Sequence, residues 1–545
     1  MKNSFFAAVP LAFTSLVACT LISSQAYAQA TPASAAHPAT CMPNMSEPSE
    51  ADIAFYRHDA KKAEALYAAA VAKDPADSRS REYQIDSLIE QKKLDEAHTL
   101  LEDWVAMDSE DSYAATAAAD IRFAEGDWLE SYALNLKALK LDTCNADAFD
   151  RSARYEELAG FHTTAHRHYA IAHQLVPKDE QFYRGWISGL PAAQRFEENK
   201  KYIVASKALD EKQRAAITKS YEKAESESDN RCTLVSSSGP AVIPMVELPS
   251  AIGQDVHYGL EIAFNGHKRT LQIDTGAGGF LLTHSAGATL SLPGISKSRV
   301  GGFGDEDAND FDVDHADSVR IGGLEFKNCV VSVAANFGTM GGSQIQGNRM
   351  DSKDGIVGTD IFDRYLVTLD YIKHEVRLDP LPRPTNAPSE GLDPLGGSNN
   401  PDRRDIDRYT APSMKNWTQV YRSGHMLYIP TRINGTLNKP FVLDTGSYIN
   451  IIDTNLAKTF TKTQSGMVRS RGLSGVSDPM SQAGRFTADF AGIRLPVQSM
   501  DSQDLSRWGE GIAGFLGYPT LEQLIMHIDY RDNLVLFEAP NGKKN

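Results

Sequence analysis

The sequence predicts a multidomain protein in which an all-α series of helical repeats precedes an all-β region of two similar halves. Three observations predict this order. Small residues recur every 34 positions in the first part, short strand patterns with glycine-rich turns begin at Ala241, and one strand-and-turn stretch occurs twice in the second part. With 545 residues the chain is too long for one ordinary core, so roughly two to four domains are expected.

The composition is that of a globular protein and argues against one class of partner. Hydrophobic residues make up 41% of the chain, charged residues make up 23%, and the formal net charge is −16. A strongly acidic protein is repelled by phosphate backbones, so no nucleic-acid partner is expected. The sequence has no CxxC pattern and no Cys/His cluster, so neither a metal nor another cofactor is expected.

The first 28 residues have the pattern of a secretory signal. Lys2 precedes an apolar run from Phe5 to Ile22, and the small-residue site Ala26-Tyr27-Ala28 follows. A rival interpretation is a bacterial lipoprotein signal in which Cys19 becomes the lipidated first residue, and only then is membrane anchoring expected. Cleavage after Ala28 is favoured because the apolar run continues past Cys19. Both interpretations predict a periplasmic or secreted protein.

Four cysteines remain after removal of the signal, and an exported protein permits them to form disulfides. They are Cys41, Cys144, Cys232 and Cys329. Four cysteines allow three pairings, and the sequence does not choose among them.

Domain boundaries are placed where the sequence pattern changes. The expected segments are a signal peptide at 1–28, a flexible Ala/Pro/Ser/Thr-rich linker at 29–48, helical repeats at 49–228, a linker with the first strand at 229–252, a first β lobe at 253–382, a Pro-rich linker at 383–412 and a second β lobe at 413–545.

The helical region resembles tetratricopeptide repeats. Its small residues, each 34 positions after the last (97 − 63, 131 − 97, 165 − 131), are Ala63, Ala97, Ser131 and Ala165. Small residues at this period let two helices approach closely and stack on the next pair. Asn135 departs from the pattern because it replaces an apolar residue, and a helical bundle with accidental periodicity is the alternative. The resemblance implies a concave groove that binds a protein partner.

The repeated stretch in the β region places an acid before a Thr-Gly turn. It runs from Leu271 to Gly276 in the first half and from Phe441 to Gly446 in the second. Both copies have an upstream Asn-Gly hairpin signal and a downstream Gly-apolar-apolar-Gly segment: Asn265-Gly266 and Gly355–Gly358, then Asn434-Gly435 and Gly514–Gly517. The second half is therefore a diverged duplicate of the first.

These residues resemble the pepsin and retropepsin superfamily of aspartic peptidases, in which each lobe contributes one Asp-Thr-Gly triplet. The resemblance covers about residues 240 to 545 and implies a bilobal aspartic-protease fold with Asp274 and Asp444 as the catalytic pair. Two carboxyl groups a few ångströms apart share one proton, because like charges that close do not both ionise. The ionised member then acts as general base on water and the protonated member as general acid.

The resemblance also assigns supporting roles in the two turns. It implies that Thr275 and Thr445 hydrogen-bond across the lobe junction, while Gly276 and Gly446 let backbone N–H groups approach the carboxylates. Ser447 corresponds to the pepsin residue that donates a hydrogen bond to the outer carboxylate oxygen.

The first lobe has Ala277 where the second has Ser447, as retroviral enzymes do. A hydrogen bond to an ionised carboxyl lowers its pKa, so the missing donor predicts a less acidic pair and activity that reaches mildly acidic to neutral pH.

Pepsin-like flaps carry a tyrosine, but no Tyr or Trp occurs between Ala277 and Gly355. The first lobe instead has a stretch that resembles the glycine-rich flap of retropepsins, which implies a flap of that kind. Its residues are Gly301, Gly302, Phe303 and Gly304, whose glycines permit closure over a substrate. A second flap is expected around Gly472-Leu473-Ser474-Gly475.

The sequence thus predicts an exported, single-chain aspartic endopeptidase that takes a peptide or protein substrate between its lobes, with repeats that recruit substrate or a partner. A non-catalytic scaffold that binds peptides without cleaving them is the first alternative. The second is an assembly in which each half pairs with its equivalent in another chain. Cleavage preference and any zymogen step are not determined by the sequence.

Overall fold

The computed structural model describes residues 41–226, 232–235, 239–249, 256–300, 309–334, 354–382, 407–471, 476–506, 508–509 and 511–539. Its first part is helical, as predicted. The helices are α1 (Glu50–Tyr56), α2 (Ala60–Lys73), α3 (Ser78–Glu90), α4 (Leu94–Met107), α5 (Ser112–Ala124), α6 (Trp128–Leu141), α7 (Ala146–Ala159), α8 (His162–Leu175), α9 (Glu180–Ser188), α10 (Ala192–Ala205) and α11 (Glu211–Ser226).

The 34-residue period is the period of the helices themselves. Helices α2, α4, α6 and α8 begin at 60, 94, 128 and 162, and α3, α5, α7 and α9 begin at 78, 112, 146 and 180, so each series advances by 34. The N-cap residues of the second series are Asp77, Asp111, Asn145 and Asp179. Each of these side chains accepts a hydrogen bond from a first-turn N–H group, which stabilises the helix start.

Residues 41–48, the described part of the expected flexible linker, are held against the repeats. Cys41 forms a disulfide with Cys144. Glu47 pairs with Lys178 after α8 and with Lys207 after α10. The composition predicted a flexible linker, but one disulfide and two ion pairs fix residues 41–48 in place. We call this segment the strap, because it connects the start of the repeat series to its later helices.

Side chains from distant repeats bind each other in the helical part. The Tyr56 hydroxyl at the end of α1 donates to Asp179 before α9 at 2.8 Å, and the Tyr83 hydroxyl of α3 donates to Asp147 of α7 at 2.7 Å. Tyr83, Asp147 and Asp179 are all buried. These bonds therefore join α1 to the start of α9 and α3 to α7.

The second part consists mainly of short strands. The strands are β1 (Thr233–Leu234), β2 (Ala241–Pro244), β3 (Val246–Pro249), β4 (Val256–Phe264), β5 (His267–Asp274), β6 (Phe280–Leu282), β7 (Gly294–Val300), β8 (Asn309–Ile321), β9 (Leu324–Ala334), β10 (Gly355–Gly358), β11 (Tyr365–Asp370), β12 (Glu375–Pro380), β13 (Thr418–Gln419), β14 (Tyr421–Ser423), β15 (Met426–Ile433), β16 (Leu437–Asp444), β17 (Ile451–Asp453), β18 (Thr463–Arg471), β19 (Val476–Ala483), β20 (Phe486–Phe490), β21 (Ile493–Val497), β22 (Met500–Gln503), β23 (Gly514–Gly517), β24 (Ile525–Asp529) and β25 (Leu534–Glu538). The helices among them are α12 (His284–Leu290), α13 (Thr454–Lys458), α14 (Tyr518–Leu521) and two 3₁₀ turns, Thr359–Phe362 and Pro412–Met414.

The described strands form one sheet in each lobe and one sheet between the lobes. The first-lobe sheet has the order β1-β9-β6-β10-β5-β4-β8-β7 with β3 beside β4, and the second-lobe sheet has the order β18-β19-β22-β17-β23-β16-β15-β20-β21 with β14 beside β15. The shared sheet has the order β13-β25-β24-β11-β12-β2. In its centre β11 and β24 are antiparallel, with Leu366 opposite Asp529 and Asp370 opposite Ile525. The two lobes of one chain are therefore joined by backbone hydrogen bonds.

Both predicted Asn-Gly hairpin turns are confirmed. Asn265 and Gly266 have φ of 47° and 89°, and Asn434 and Gly435 have φ of 49° and 76°. Positive φ at both central residues is the requirement of the type I′ turn, which Asn-Gly meets at low cost. The turns precede β5 and β16, and they set the register of the two strands that end in the Asp-Thr-Gly triplets.

The repeats dock on the second lobe through two of their turns. The turn positions His58, Lys92, Gly126 and Gly160 are 34 residues apart, and all four have positive φ. A Cβ atom at Gly126 would lie 2.4 Å from the Gly511 carbonyl oxygen, and one at Gly160 would lie 2.9 Å from Asn533 Nδ2. Because the two earlier turns accept His and Lys at the same conformation, it is the contact with the lobe that requires glycine.

An aromatic cluster continues this interface. Trp128, at the start of α6, is buried with its ring centroid 5.0 Å from that of Tyr421 and 5.5 Å from that of Tyr428. Lys439 of β16 donates to the Glu125 carbonyl oxygen at 2.7 Å and pairs with Asp127 at 3.0 Å. Apolar contact and a buried cation therefore attach the helical part to the strand that carries Asp444.

The four cysteines left open by the sequence pair as Cys41–Cys144 and Cys232–Cys329. The second bond links the segment before β1 to β9, within the first lobe. Among the described residues, no helix combines the length and apolar character needed to cross a bilayer.

Candidate active site

Two strands deliver the predicted acids to the lobe junction. Strand β5 ends at Asp274 and β16 ends at Asp444. Each runs parallel to a Gly-apolar-apolar-Gly strand, with Gly358 opposite Asp274 and Gly517 opposite Asp444. Leu271 and Ile273 before Asp274, like Phe441 and Leu443 before Asp444, are buried in the core, so each acid lies at the point where its strand leaves that core.

Each glycine of the two triplets packs against the acid of the opposite lobe. A Cβ atom at Gly446 would lie 2.1 Å from Asp274 Oδ2, and one at Gly276 would lie 2.7 Å from Asp444 Oδ1. No side chain fits at either position, because real Cβ contacts are longer than this. The arrangement brings the two carboxyl groups together, close enough that each one alters the pKa of the other.

The two threonines of the triplets form a reciprocal set of hydrogen bonds across the junction. The Thr275 hydroxyl donates to the Leu443 carbonyl at 2.8 Å and accepts from the Thr445 N–H at 3.0 Å. The Thr445 hydroxyl donates to the Ile273 carbonyl at 3.3 Å and accepts from the Thr275 N–H at 3.0 Å. Both side chains are buried, so these four bonds hold the two turns in a fixed relation.

Backbone N–H groups orient the carboxylates. Gly276 N donates to Asp274 Oδ1 at 2.7 Å, and the N–H groups of Gly446 and Ser447 donate to Asp444 Oδ1, both at 3.0 Å. The Ser447 hydroxyl does not play the part that the resemblance implied. It donates to the Ile449 carbonyl at 2.8 Å, and a hydroxyl has only one hydrogen to give.

The electrostatics of the pair favour one shared proton. Burial raises the pKa of Asp274, although the Gly276 N–H, the bond to Asp444 and the charge of His425 act against that rise. Burial also raises the pKa of Asp444 well above its usual range, and the neighbouring Asp274 raises it further. The two carboxyls therefore titrate as a unit, with one proton held over a range of pH in which isolated carboxyls have lost theirs.

Three side chains beside the pair were missed by the sequence analysis. His425 comes from the second lobe, and its Nδ1 would lie 2.8 Å from a Cβ atom at Gly278. Asp360 accepts from the Gly279 N–H at 2.9 Å, and the charges of His425 and Arg422 act against the rise that burial causes in the pKa of Asp360. These contacts cross between lobes, and no local sequence pattern predicts them.

A second histidine makes the pseudo-equivalent contact from the first lobe. His257 is buried, and its ring centroid lies 4.3 Å from those of Tyr448 and Tyr518. Gly278 and Tyr448 both lie four residues after an acid of the pair (278 − 274 and 448 − 444). Each lobe thus places a histidine against the loop that follows the other lobe's acid.

The flap residues Gly301, Gly302, Phe303 and Gly304 lie outside the described residues, as do Gly472-Leu473-Ser474-Gly475. Within the described part of the chain, the carboxylates and other ligand groups spaced to hold a metal ion are far from this pair in sequence: Glu82, Asp86 and Asp120 of the helical region.

Comparison with known proteins gives a family match within the first lobe. A family model described as "Aspartyl protease" matches residues 260–361, which include Asp274. The crystal structure of an aspartic proteinase from Irpex lacteus is similar over 56% of this chain and 98% of its own, at 13% identity and a TM-score of 0.29. The crystal structure of MamA is similar over 33% of this chain and 99% of its own, at 17% identity and a TM-score of 0.19. No curated protein sequence matches.

The family match starts within β4 and extends into the 3₁₀ turn after β10, so it contains the first triplet and its parallel glycine strand. The second lobe repeats those elements with β15, β16 and β23. After its helical repeats, the chain therefore has two β lobes built on the same elements, and they resemble an aspartic-protease fold.

Proposed function

We propose that this protein is an aspartic endopeptidase whose water is activated by Asp274 and Asp444. The observation that carries the proposal is the approach of two carboxyl groups from different lobes, each packed on the glycine of the opposite triplet and held by reciprocal threonine bonds. Such a pair supplies a base and an acid at the same point, which is what amide hydrolysis without a nucleophilic side chain needs.

The chemistry follows from the shared proton. The ionised carboxyl takes a proton from water as its oxygen bonds to the peptide carbonyl carbon, and the protonated carboxyl gives its proton to the carbonyl oxygen. When the tetrahedral intermediate collapses, the C–N bond breaks and the protonated carboxyl gives its proton to the leaving nitrogen. One hydroxyl of the intermediate gives its proton to the ionised carboxyl as the C=O bond re-forms. The pair then again holds one proton. No fixed role is assigned to either acid, because the proton belongs to the pair.

The substrate we propose is an extended peptide that lies in the cleft between the lobes and pairs with their strands. Recruitment of a substrate or partner protein by the repeats is also part of the proposal. Since side chains of α1, α3, α7 and the start of α9 already bind each other, recruitment would use the other helices. Crosslinks from a bound protein substrate to α2, α4, α6 or α8 would be expected, and their absence would count against recruitment.

Export is proposed from the signal pattern, and the two disulfides support it, because disulfides persist in oxidising compartments. The mature amino terminus tests it. A chain that starts at Gln29 is the expected product, an acylated Cys19 would identify the lipoprotein alternative, and an intact Met1 would contradict both.

The central experiment incubates the purified protein with a diverse peptide library and identifies products by mass spectrometry. Wild type is expected to cleave, and Asp274→Asn and Asp444→Asn are each expected to lose at least about 100-fold in kcat/KM. Asp317→Asn is the matched control, since this aspartate of the first lobe is 79% exposed. Cleavage by either Asn variant at the wild-type rate would overturn the proposal. Peptide binding by wild type without cleavage would instead identify a scaffold.

A further inference from the structure

Three carboxylates converge inside the helical repeats, about 150 residues or more in sequence from the proposed catalytic pair (274 − 120 = 154). Glu82 and Asp86 lie four residues apart on one face of α3, and Asp120 lies on α5 at the same repeat position as Asp86 (120 − 86 = 34). One ligand oxygen from each lies within 4.8 Å of the others. Two successive repeats therefore aim three acids at one point.

Among these three acids, Glu82 is the one whose surroundings indicate a bound ligand. Its side chain is 0% exposed, and neither of its carboxylate oxygens has a hydrogen-bond partner among the described residues. A buried carboxylate without a partner costs several kcal/mol, so such groups in folded proteins are nearly always paired, protonated or bound to a cation.

The nearby cations are already committed. Arg151 of α7 pairs with Asp86 at 2.8 Å, with Asp120 at 3.0 Å and with Asp150 at 3.0 Å. Arg79 pairs with Asp52 and Asp179. The acids buried on the inner side of the repeats are Asp52, Glu82, Asp86, Asp120, Asp147, Asp150 and Asp179. The charge of Arg154 also acts on Asp120, so seven acids against three arginines leave a formal charge of 3 − 7 = −4 when all are ionised.

We propose that Glu82, Asp86 and Asp120 bind one hard divalent cation, of the Ca²⁺, Mg²⁺ or Mn²⁺ class. Carboxylate oxygens select these ions, whereas zinc and copper prefer nitrogen and sulfur ligands. Ligand oxygens on opposite sides of Ca²⁺ lie about 5 Å apart, and those of Mg²⁺ about 4 Å, so the observed spacing admits either. Arg151 would remain on the outer oxygens of Asp86 and Asp120, opposite Glu82.

A proton is the competing way to neutralise Glu82. Burial raises the pKa of Glu82 well above its usual range, and the charges of Asp147, Asp86 and Asp120 raise it further. The two states differ in their consequences. A bound ion joins α3 to α5 and makes stability depend on metal concentration, whereas a protonated Glu82 does not.

The test uses the full-length protein, stripped of metal by dialysis against a chelator at pH 7. CaCl₂, MgCl₂ and MnCl₂ are added separately, and binding is followed by titration calorimetry and by thermal unfolding. Wild type is expected to bind one ion of at least one of these metals and to show a Tm that rises with its concentration. Glu82→Gln is expected to lose that site and its Tm shift.

Glu102→Gln is the matched control, because it removes the same charge from an exposed position on α4 and should keep the site. Asp120→Asn provides a second variant should Glu82→Gln fail to fold. Wild type that binds none of the three ions, or Glu82→Gln that binds like wild type, would overturn the proposal. So would a Glu82→Gln protein whose Tm matches or exceeds that of metal-free wild type while wild type shows no metal dependence. None of these readouts depends on peptidase activity.

Discussion

At the scale of single residues, the candidate chemistry rests on two carboxyl groups, each packed on the glycine of the opposite lobe. Asp274 and Asp444 have raised pKa values mainly because they are buried, and each receives backbone N–H bonds but no serine hydroxyl. Ala277 offers no hydroxyl in the first lobe, and Ser447 directs its own to Ile449 in the second. In both lobes the missing hydroxyl donor leaves the pKa of the carboxyl higher than it would be with such a donor.

We predict a bell-shaped pH profile of kcat/KM that extends from mildly acidic to neutral pH. On the acid limb the pair loses its ionised base, and on the alkaline limb it loses the shared proton. Raised pKa values move both limbs to higher pH. Ala277→Ser, which offers a hydroxyl donor to ionised Asp274, should move the acid limb to lower pH. Rates measured from pH 3 to 8 check this. A wild-type profile confined to strongly acidic pH would contradict it.

We also predict that Asp444→Asn stabilises the protein at pH 7 while it removes activity. The folded-state pKa of Asp444 lies above the unfolded value of about 4, so the carboxyl does not oppose folding below that pH and opposes it increasingly as pH rises towards the folded pKa. Calorimetry should therefore give a higher Tm for the variant at pH 7, which corresponds to a gain on the order of 1 kcal/mol in the free energy of unfolding. At pH 3 the gain in Tm should be small. A gain of equal size at both pH values would argue against this origin.

At the scale of elements, the same repeat position serves two purposes. The turns at His58 and Lys92 connect helices, whereas those at Gly126 and Gly160 connect helices and also contact the second lobe. The left-handed backbone is common to all four, so conformation alone does not explain the two glycines. The approach of Gly511 to Gly126 does.

Gly126→Ala should therefore loosen the helical part from the second lobe. An alanine at positive φ costs about 1–2 kcal/mol by itself, and the clash with Gly511 adds to that cost. Lys92→Ala is the matched control, because it places the same residue at the same turn position away from the lobe. We expect a clearly lower Tm and faster proteolysis near the interface for the first variant only. Equal behaviour of the two variants would show that the contact is energetically unimportant.

At the scale of the whole molecule, covalent and hydrogen-bonded links close long segments of chain. Cys41–Cys144 spans 103 residues and Cys232–Cys329 spans 97, while the shared sheet and the threonine bonds join the lobes of one chain. These lobe contacts favour a single-chain cleft over the assembly in which each half pairs with another chain.

We predict that the Cys41→Ser/Cys144→Ser variant unfolds at lower temperature. Closing a loop of about 100 residues restricts the unfolded chain and stabilises a protein by up to about 5 kcal/mol. Scanning calorimetry under oxidising conditions measures the loss, and wild type in reductant should approach the variant. An unchanged Tm would mean that the Glu47 ion pairs and helix packing already hold the strap.

Sequence patterns predicted most of the fold because each depends on neighbours along the chain. The 34-residue spacing reflects a cap and a close helix contact in every repeat, and Asn-Gly turns report positive φ directly. Docking by Trp128 and Lys439 was not predictable, since neither residue belongs to a pattern and both act on partners about 300 positions away (428 − 128 = 300, 439 − 125 = 314). His425 and Asp360 were missed for the same reason.

By itself, the sequence determined that the chain has helical repeats followed by two duplicated β lobes, each with one acid before a Thr-Gly turn. Those features are patterns among neighbouring residues, or repeated copies of such patterns. They can be recognised in the sequence without knowledge of any tertiary contact. Only the tertiary structure decided that the two acids lie together, which cysteines pair, that Glu82 is buried without a hydrogen-bond partner among the described residues, and that Ser447 turns to Ile449. Each of these depends on groups that are distant in the chain or on a choice between nearby acceptors, and packing settles both.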